Sequence, residues 1–147
     1  MGRIVTKVTV SNPIDKTKSR TFDALVDTGA SLLTLPKAWK VDFGNLSETR
    51  IAQVELADKN VKEIEICGPV AIQIEGFQKI FSEVSFIEMA SSNGAYEPLL
   101  GYIPLEQAGI LVDMLGHRLK AAKYLDLKFV EPSPLRRPGP GGRFLTQ

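Results

Sequence analysis

Cysteine, histidine and tryptophan each occur once in this chain of 147 residues. A lone cysteine, Cys67, forbids an intrachain disulfide and tolerates a reducing compartment. As a nucleophile it would need a base beside it. Cys67 instead closes the strand-like run EIEIC and reads as a small buried residue, while His117 reads as an exposed turn residue. One histidine and one cysteine do not make a tetrahedral metal site, and the carboxylates show no metal-ligand spacing, so neither metal nor cofactor is expected. Charge of one sign is lacking too: eighteen basic residues face seventeen acidic ones. No global field therefore draws the chain to nucleic acid or anionic lipid, and neither is an expected partner. No apolar run approaches a membrane span, and the opening MGRIVTKVTV lacks the apolar core of a secretion signal. A cytoplasmic location is expected. The loose myristoylation pattern at Gly2 and Thr6 and the Asn45-Leu46-Ser47 sequon read as chance matches.

What the chain does have is a β rhythm. Runs rich in Val, Ile, Phe and Thr fall near 3–10, 20–26, 32–35, 51–56, 61–67, 69–75, 79–88 and 109–113, separated by Gly, Pro, Asn and Asp. In VAIQI, Val70, Ile72 and Ile74 share one face, with Ala71 and Gln73 on the other, which reads as a half-buried strand. Residues 11–20 read as an exposed hairpin turn. One short helix is expected after Gly101, opened near Pro104 and stopped by Gly109. The fold class is all-β with one short helix in the C-terminal part. The length is one domain's worth, placed at 1–130. Residues 131–147, with four prolines and three glycines, are expected to form a flexible tail whose arginines are solvated.

The chemistry concentrates in Ala24 to Ser31, ALVDTGAS. A β-type run ends at Val26, so Asp27 stands at the end of a strand, where a rigid scaffold presents it to a cleft. Thr28 offers a hydroxyl that can tie the loop to nearby backbone. Gly29 allows either a sharp turn with positive φ or a close backbone approach.

The stretch LVDTGASLLTL at 25–35 resembles the active-site loop and following strand of retropepsin-like (clan AA, retroviral-type) aspartic proteases. PLLGYIPLEQAG at 98–109 is similar to the strand and short helix beneath that loop, and ILVD at 110–113 and GHRLK at 116–120 continue the likeness, from about Ile4 to about Lys120. The resemblance implies an acid-protease barrel in a single-domain cellular form. It implies an aspartic endopeptidase in which Asp27, Thr28 and Gly29 are catalytic and Ala30 lies against substrate. The β-hairpin that covers substrate in that family falls at the junction of IAQVEL and VKEIEIC. Its tip would be Ala57, Asp58, Lys59 and Asn60, and their backbone would bond an extended polypeptide like an added strand. The tip lacks the glycines of the retroviral pattern, and an ordinary surface hairpin remains the other reading.

Aspartic proteolysis needs two carboxylates that share a water and a proton. This chain has one Asp-Thr-Gly, and Asp113 is not followed by Thr-Gly. The expected partner is therefore a second copy, each giving Asp27 to a dyad that titrates as a pair; the resemblance further implies that Thr28 bonds across the axis. AAKYLDLKFV at 121–130 either pairs with its twin or packs as an edge strand on its own chain. Ala30, where pepsin-like enzymes carry a hydroxyl, implies a working pH nearer neutral than pepsin's. The alternative function is a catalytically weak peptide-binding or dimerisation module on the same fold.

Overall fold

The computed structural model describes residues 3–122 apart from Leu56 and Ser92. The strands are β1 (Val5–Ser11), β2 (Ser19–Val26), β3 (Leu33–Pro36), β4 (Glu48–Glu55), β5 (Val61–Ile74), β6 (Ile80–Ile87), β7 (Leu99–Leu100), β8 (Ile110–Asp113) and β9 (Arg118–Ala121). A 3-10 helix spans Lys37–Phe43, and α1 spans Tyr102–Gln107. Seven strands form one sheet in the order β1-β2-β7-β3-β6-β5-β4, and β8 pairs with β9 in a separate two-stranded sheet. A further antiparallel pairing, Val8↔Ile74 to Ser11↔Ala71, brings β5 back onto β1. The described residues are thus mostly β-sheet with one α-helix towards their C-terminal end.

Alternation divides the sheet into a dry and a wet face. Val8, Val10, Ala24, Leu33, Leu35, Cys67, Val84 and Leu100 have no exposed surface, and Phe86 has 1%. Phe43 of the 3-10 helix and Leu105 of α1 pack onto the same cluster. Each of the Val, Leu and Phe side chains contributes about 1.5–3 kcal/mol on removal from water, so this face fixes the register. Asn12, 5% exposed, ties the end of β1 to the chain after the 3-10 helix. Its Nδ2 donates to the carbonyls of Phe43 at 2.8 Å and Asn45 at 2.9 Å, while its Oδ1 accepts from the N–H groups of Ile14 at 2.9 Å and Asp15 at 3.2 Å.

Three local expectations are corrected. The runs 61–67 and 69–75 are one strand, β5, because β4 and β6 hold the chain through Gly68 and Pro69, with a register shift against β6 between Cys67 and Val70. Ala71 is buried, at 4%, because β1 and β6 flank it on both sides. The basic turn at 116–120 is partly strand: Arg118 to Ala121 pair with Asp113 to Ile110, and only Gly116 and His117 belong to the turn. The 3-10 helix had no expected counterpart. It is held by Trp39, whose ring lies 3.9 Å beneath the Arg20 guanidinium and 5.2 Å from Phe22, and by an Arg20–Asp42 ion pair at 2.6 Å. Of the segment 121–130, read as either a dimer strand or an edge strand, Ala121 ends β9 against Ile110, while residues 123–130 and the tail at 131–147 lie outside the described residues.

Candidate active site

Asp27 follows directly on β2, and its N–H donates to the Leu100 carbonyl at 3.0 Å, extending the parallel β2–β7 pairing of Leu25↔Leu99 and Val26↔Leu100. The loop then turns back on itself, with the Ala30 N–H donating to the Asp27 carbonyl at 3.0 Å. The Gly29 N–H donates to Asp27 Oδ1 at 3.0 Å, a charge-assisted bond that holds the carboxylate in one orientation. At the start of α1 the backbone N–H groups have no partner within the helix. Tyr102 N–H therefore donates to the Ala30 carbonyl and Ile103 N–H to the Ser31 carbonyl, both at 2.9 Å. Gly101 permits that contact, because a Cβ there would stand 2.6 Å from the carbonyl oxygens of both Ala30 and Leu32.

Sheet register sets the surroundings of the carboxylate. Side chains two apart on a strand share a face, so Asp27 projects with Leu25 on the face opposite Ala24 and the core. Leu25 belongs to an unbroken row across all seven strands, Val5–Leu25–Leu99–Thr34–Ser85–Ile66–Arg50. Leu25, Leu99 and Thr34 are half-buried, and Ser85 is 4% exposed. Charge appears in the row only at Arg50, which is paired to Glu83.

The other expected site residues divide into two groups. Thr28 and Gly29 are exposed and Ala30 is half-buried, all in the Asp27 loop. The Thr28 hydroxyl makes no hydrogen bond to the described residues, the expected tie to neighbouring backbone included. Gly29 has no positive φ; its role is close approach, since a Cβ there would lie 3.2 Å from Asp27 Oδ1. Ala57, Asp58, Lys59 and Asn60 form the exposed tip of the β4–β5 hairpin. Asp58 shapes that tip by accepting from the Asn60 N–H at 3.0 Å and from Asn60 Nδ2 at 2.8 Å, while Lys59 takes the left-handed φ of 67°. Among the described residues no hydrogen bond joins this tip to the Asp27 loop.

A cavity of about 380 Å³ is lined in part by Ile51, Val61, Ile64 and Phe86, and one of about 170 Å³ lies by Pro36 and Tyr96; Asp27 lines neither. Asp113 is occupied elsewhere. The Gly116 N–H at 2.9 Å, then Arg118, hold its carboxyl below the usual carboxylate range, in the β8–β9 turn. Among the described residues no group of three or more His, Cys, Asp or Glu is placed to hold a metal ion. The expected place of 98–109 beneath the loop agrees with the Leu100 carbonyl and the close approach at Gly101; the Thr34–Ser85 pair had no signal in the sequence.

The folded chain resembles EIAV protease complexed with the inhibitor HBY-793, with a TM-score of 0.54 and 18% identity over 74% of this chain and 89% of that one. The chain has the fold of the EIAV protease. A retropepsin-like aspartic protease from Rickettsia conorii aligns with 21% identity over 77% of this chain and 89% of that one, at a TM-score of 0.36. No protein-family model and no curated protein matches the sequence. The likeness to the EIAV protease is one of fold, and in this chain the Asp27 loop occupies the junction of β2, β7 and α1 within it.

Proposed function

We propose that the chain is an aspartic endopeptidase, active as a homodimer in which each copy supplies one Asp27. The observation that carries this reading is the way Asp27 is held. Its carboxylate is at a strand end, on the non-core face, oriented by the Gly29 N–H and braced from beneath by Leu100, Gly101 and α1. A carboxylate with no packing role, held by this many contacts, suits a reacting group better than a surface residue. In the reaction, one Asp27 takes a proton from a water that attacks the peptide carbonyl, and the protonated Asp27 of the second copy donates to the carbonyl oxygen. No covalent intermediate forms.

The exposed Thr28 hydroxyl is free to bond across the twofold axis, and the hairpin tip at 57–60 covers the extended substrate. The reading includes a closed acid-protease barrel, supported by the β1–β5 pairing, and a cytoplasmic setting, with which the single buried cysteine agrees. A second reading, a peptide-binding or dimerisation module with little turnover, is favoured by one observation: among the described residues β4 pairs only with β5, so its outer edge could take an added strand. Peptide cleavage by the wild-type chain beside Asp27→Asn separates the two, because only the endopeptidase loses turnover when the carboxylate becomes an amide.

A further inference from the structure

The β4 edge of the seven-stranded sheet lacks the usual protection. β4 is eight residues long, and among the described residues it pairs only with β5. Natural edge strands are kept short, or carry proline, lysine or a bulge that stops another strand from adding. β4 has none of these: its sequence is ETRIAQVE, in unbroken register with β5 from Glu48↔Gly68 to Glu55↔Val61. Its centre, Ile51 to Val54, is uncharged, and Arg50 is engaged by Glu83.

The cavity of about 380 Å³ reaches this edge through Ile51. Ile51 stands in register with Glu65, Phe86 and Leu35, the row next to the one beside Asp27, so it lies on the core face and away from the catalytic carboxylate. Here the core runs out. Phe86 is buried, Ile51 is 57% exposed, and Val61, also lining the cavity, is 61% exposed. On this face of the β4–β5 hairpin the charged side chains are Glu55, Glu63 and Glu65, all acidic. Glu65 is paired to Lys40, whereas Glu63 and the nearby Glu88, which both line the cavity, have no ion-pair partner among the described residues. Of the two lysines that line it, Lys62 is bonded to the Glu88 carbonyl at 3.0 Å, and Lys37 comes from the 3-10 helix.

We propose that β4 is a docking edge for an extended segment of another protein that carries an arginine opposite Ile51. The added strand satisfies the outward backbone groups of β4. Opposite residues on neighbouring strands share a face, with Cβ atoms about 4.5–5.5 Å apart, so that arginine enters the cavity. Its stem covers Ile51 and Val61, and its guanidinium meets Glu63 and Glu88. A leucine covers the apolar walls and leaves the carboxylates unpaired; a glutamate is repelled. A second copy's β4, paired about a twofold axis through the edge, does not fit, because it brings only Thr49, Ile51, Gln53 and Glu55 to this face. The site deepens the binding-module reading by naming its partner, and it stands on β4 rather than on Asp27.

The test titrates the full-length Asp27→Asn chain, which does not consume peptide, with end-capped fluorescent Thr-Val-Thr-X-Thr-Val-Thr. Arg at X should bind about tenfold more tightly than Leu, with Glu weakest. Glu63→Gln together with Glu88→Gln should bring Arg and Leu to near parity without weakening the Leu peptide. Two Arg peptides, N-methylated on alternate amides in the two possible sets, report strand addition: the set directed at β4 should lose binding and the other keep it. No binding, equal binding of Arg and Leu, a preference that survives the double substitution, or two N-methylated peptides that behave alike would each overturn the proposal. So would a fall in the sedimenting mass of the chain when peptide is added, which assigns the edge to a second copy. Binding at β4 with no cleavage by the wild type keeps this site and sinks the endopeptidase; cleavage with no binding at β4 does the reverse.

Discussion

The backbone N–H of Asp27 donates to the carbonyl of Leu100 at 3.0 Å, so two sequence segments more than seventy residues apart form one structural unit. The loop that carries the carboxylate is therefore only as rigid as the β7–α1 junction beneath it.

Gly101→Ala tests that dependence. The new methyl would stand 2.6 Å from two carbonyl oxygens, closer than van der Waals contact permits, and both belong to the backbone of the Asp27 loop. The expected loss is about 1–3 kcal/mol or more in urea denaturation, with peptide cleavage falling further than stability alone explains. An unchanged midpoint and unchanged cleavage would contradict the brace.

Asn12→Ala should be among the costlier polar substitutions. It removes two donated and two accepted hydrogen bonds at a residue 5% exposed and leaves the Phe43 and Asn45 carbonyls without that partner. Loss of a buried network of this kind costs about 2–4 kcal/mol, read as a lowered melting temperature. Asn12→Asp should not rescue it, since a carboxylate cannot donate to those carbonyls.

Acid should release the β8–β9 turn only below the ordinary carboxylate range. The Asp113 carboxyl titrates low, chiefly because the Gly116 N–H donates to it, so its stabilising effect is full above the unfolded carboxylate value of about 3.9 and is lost as pH falls through the lower folded value. In an NMR titration, the Gly116 amide shift should follow a midpoint below the ordinary aspartate range, and Asp113→Asn should abolish that step. A midpoint at the ordinary value would remove the Gly116 bond from the account.

Alkali should act at the root of the hairpin. Lys40 Nζ lies 2.9 Å from Glu65 Oε2, and the hydrogen bond to Glu65 raises the ammonium pKa. That contribution is full below the unfolded lysine value of about 10.4 and is lost as pH rises through the folded value. Lys40→Met should lose about 1 kcal/mol at neutral pH and show a flatter decline in stability above about pH 10, measured by urea denaturation. An equally steep decline in the variant would assign the alkaline loss to another group.

Much of the scaffold was legible because alternation and turn residues act locally. Val8 and Val10 against Lys7 and Thr9, and the turn between Ser11 and Ser19, sufficed to read the first hairpin. The helix after Gly101 was legible for the same reason. Long-range cooperation was hidden. Gly68-Pro69 carries every local mark of a break, yet pairing with strands on both sides keeps β5 continuous. Trp39 gave no sign in sequence that Arg20, Phe22 and Tyr96 would enclose it and stabilise a 3-10 helix. In the site, Asp27 was legible from Asp-Thr-Gly, whereas Thr34 and Ser85, fifty-one positions apart, meet only through strand register.

The most direct measurement is cleavage of a mixed peptide library by the purified chain between about pH 3 and 8, run beside Asp27→Asn, with sedimentation velocity on both. The account predicts cutting by the wild type only at concentrations where it is dimeric, and a fall of about 10²–10⁴-fold or more in a folded, dimeric Asp27→Asn. A well-folded wild-type dimer that cuts nothing at any pH, or an Asp27→Asn chain that cuts as fast as the wild type, would contradict it.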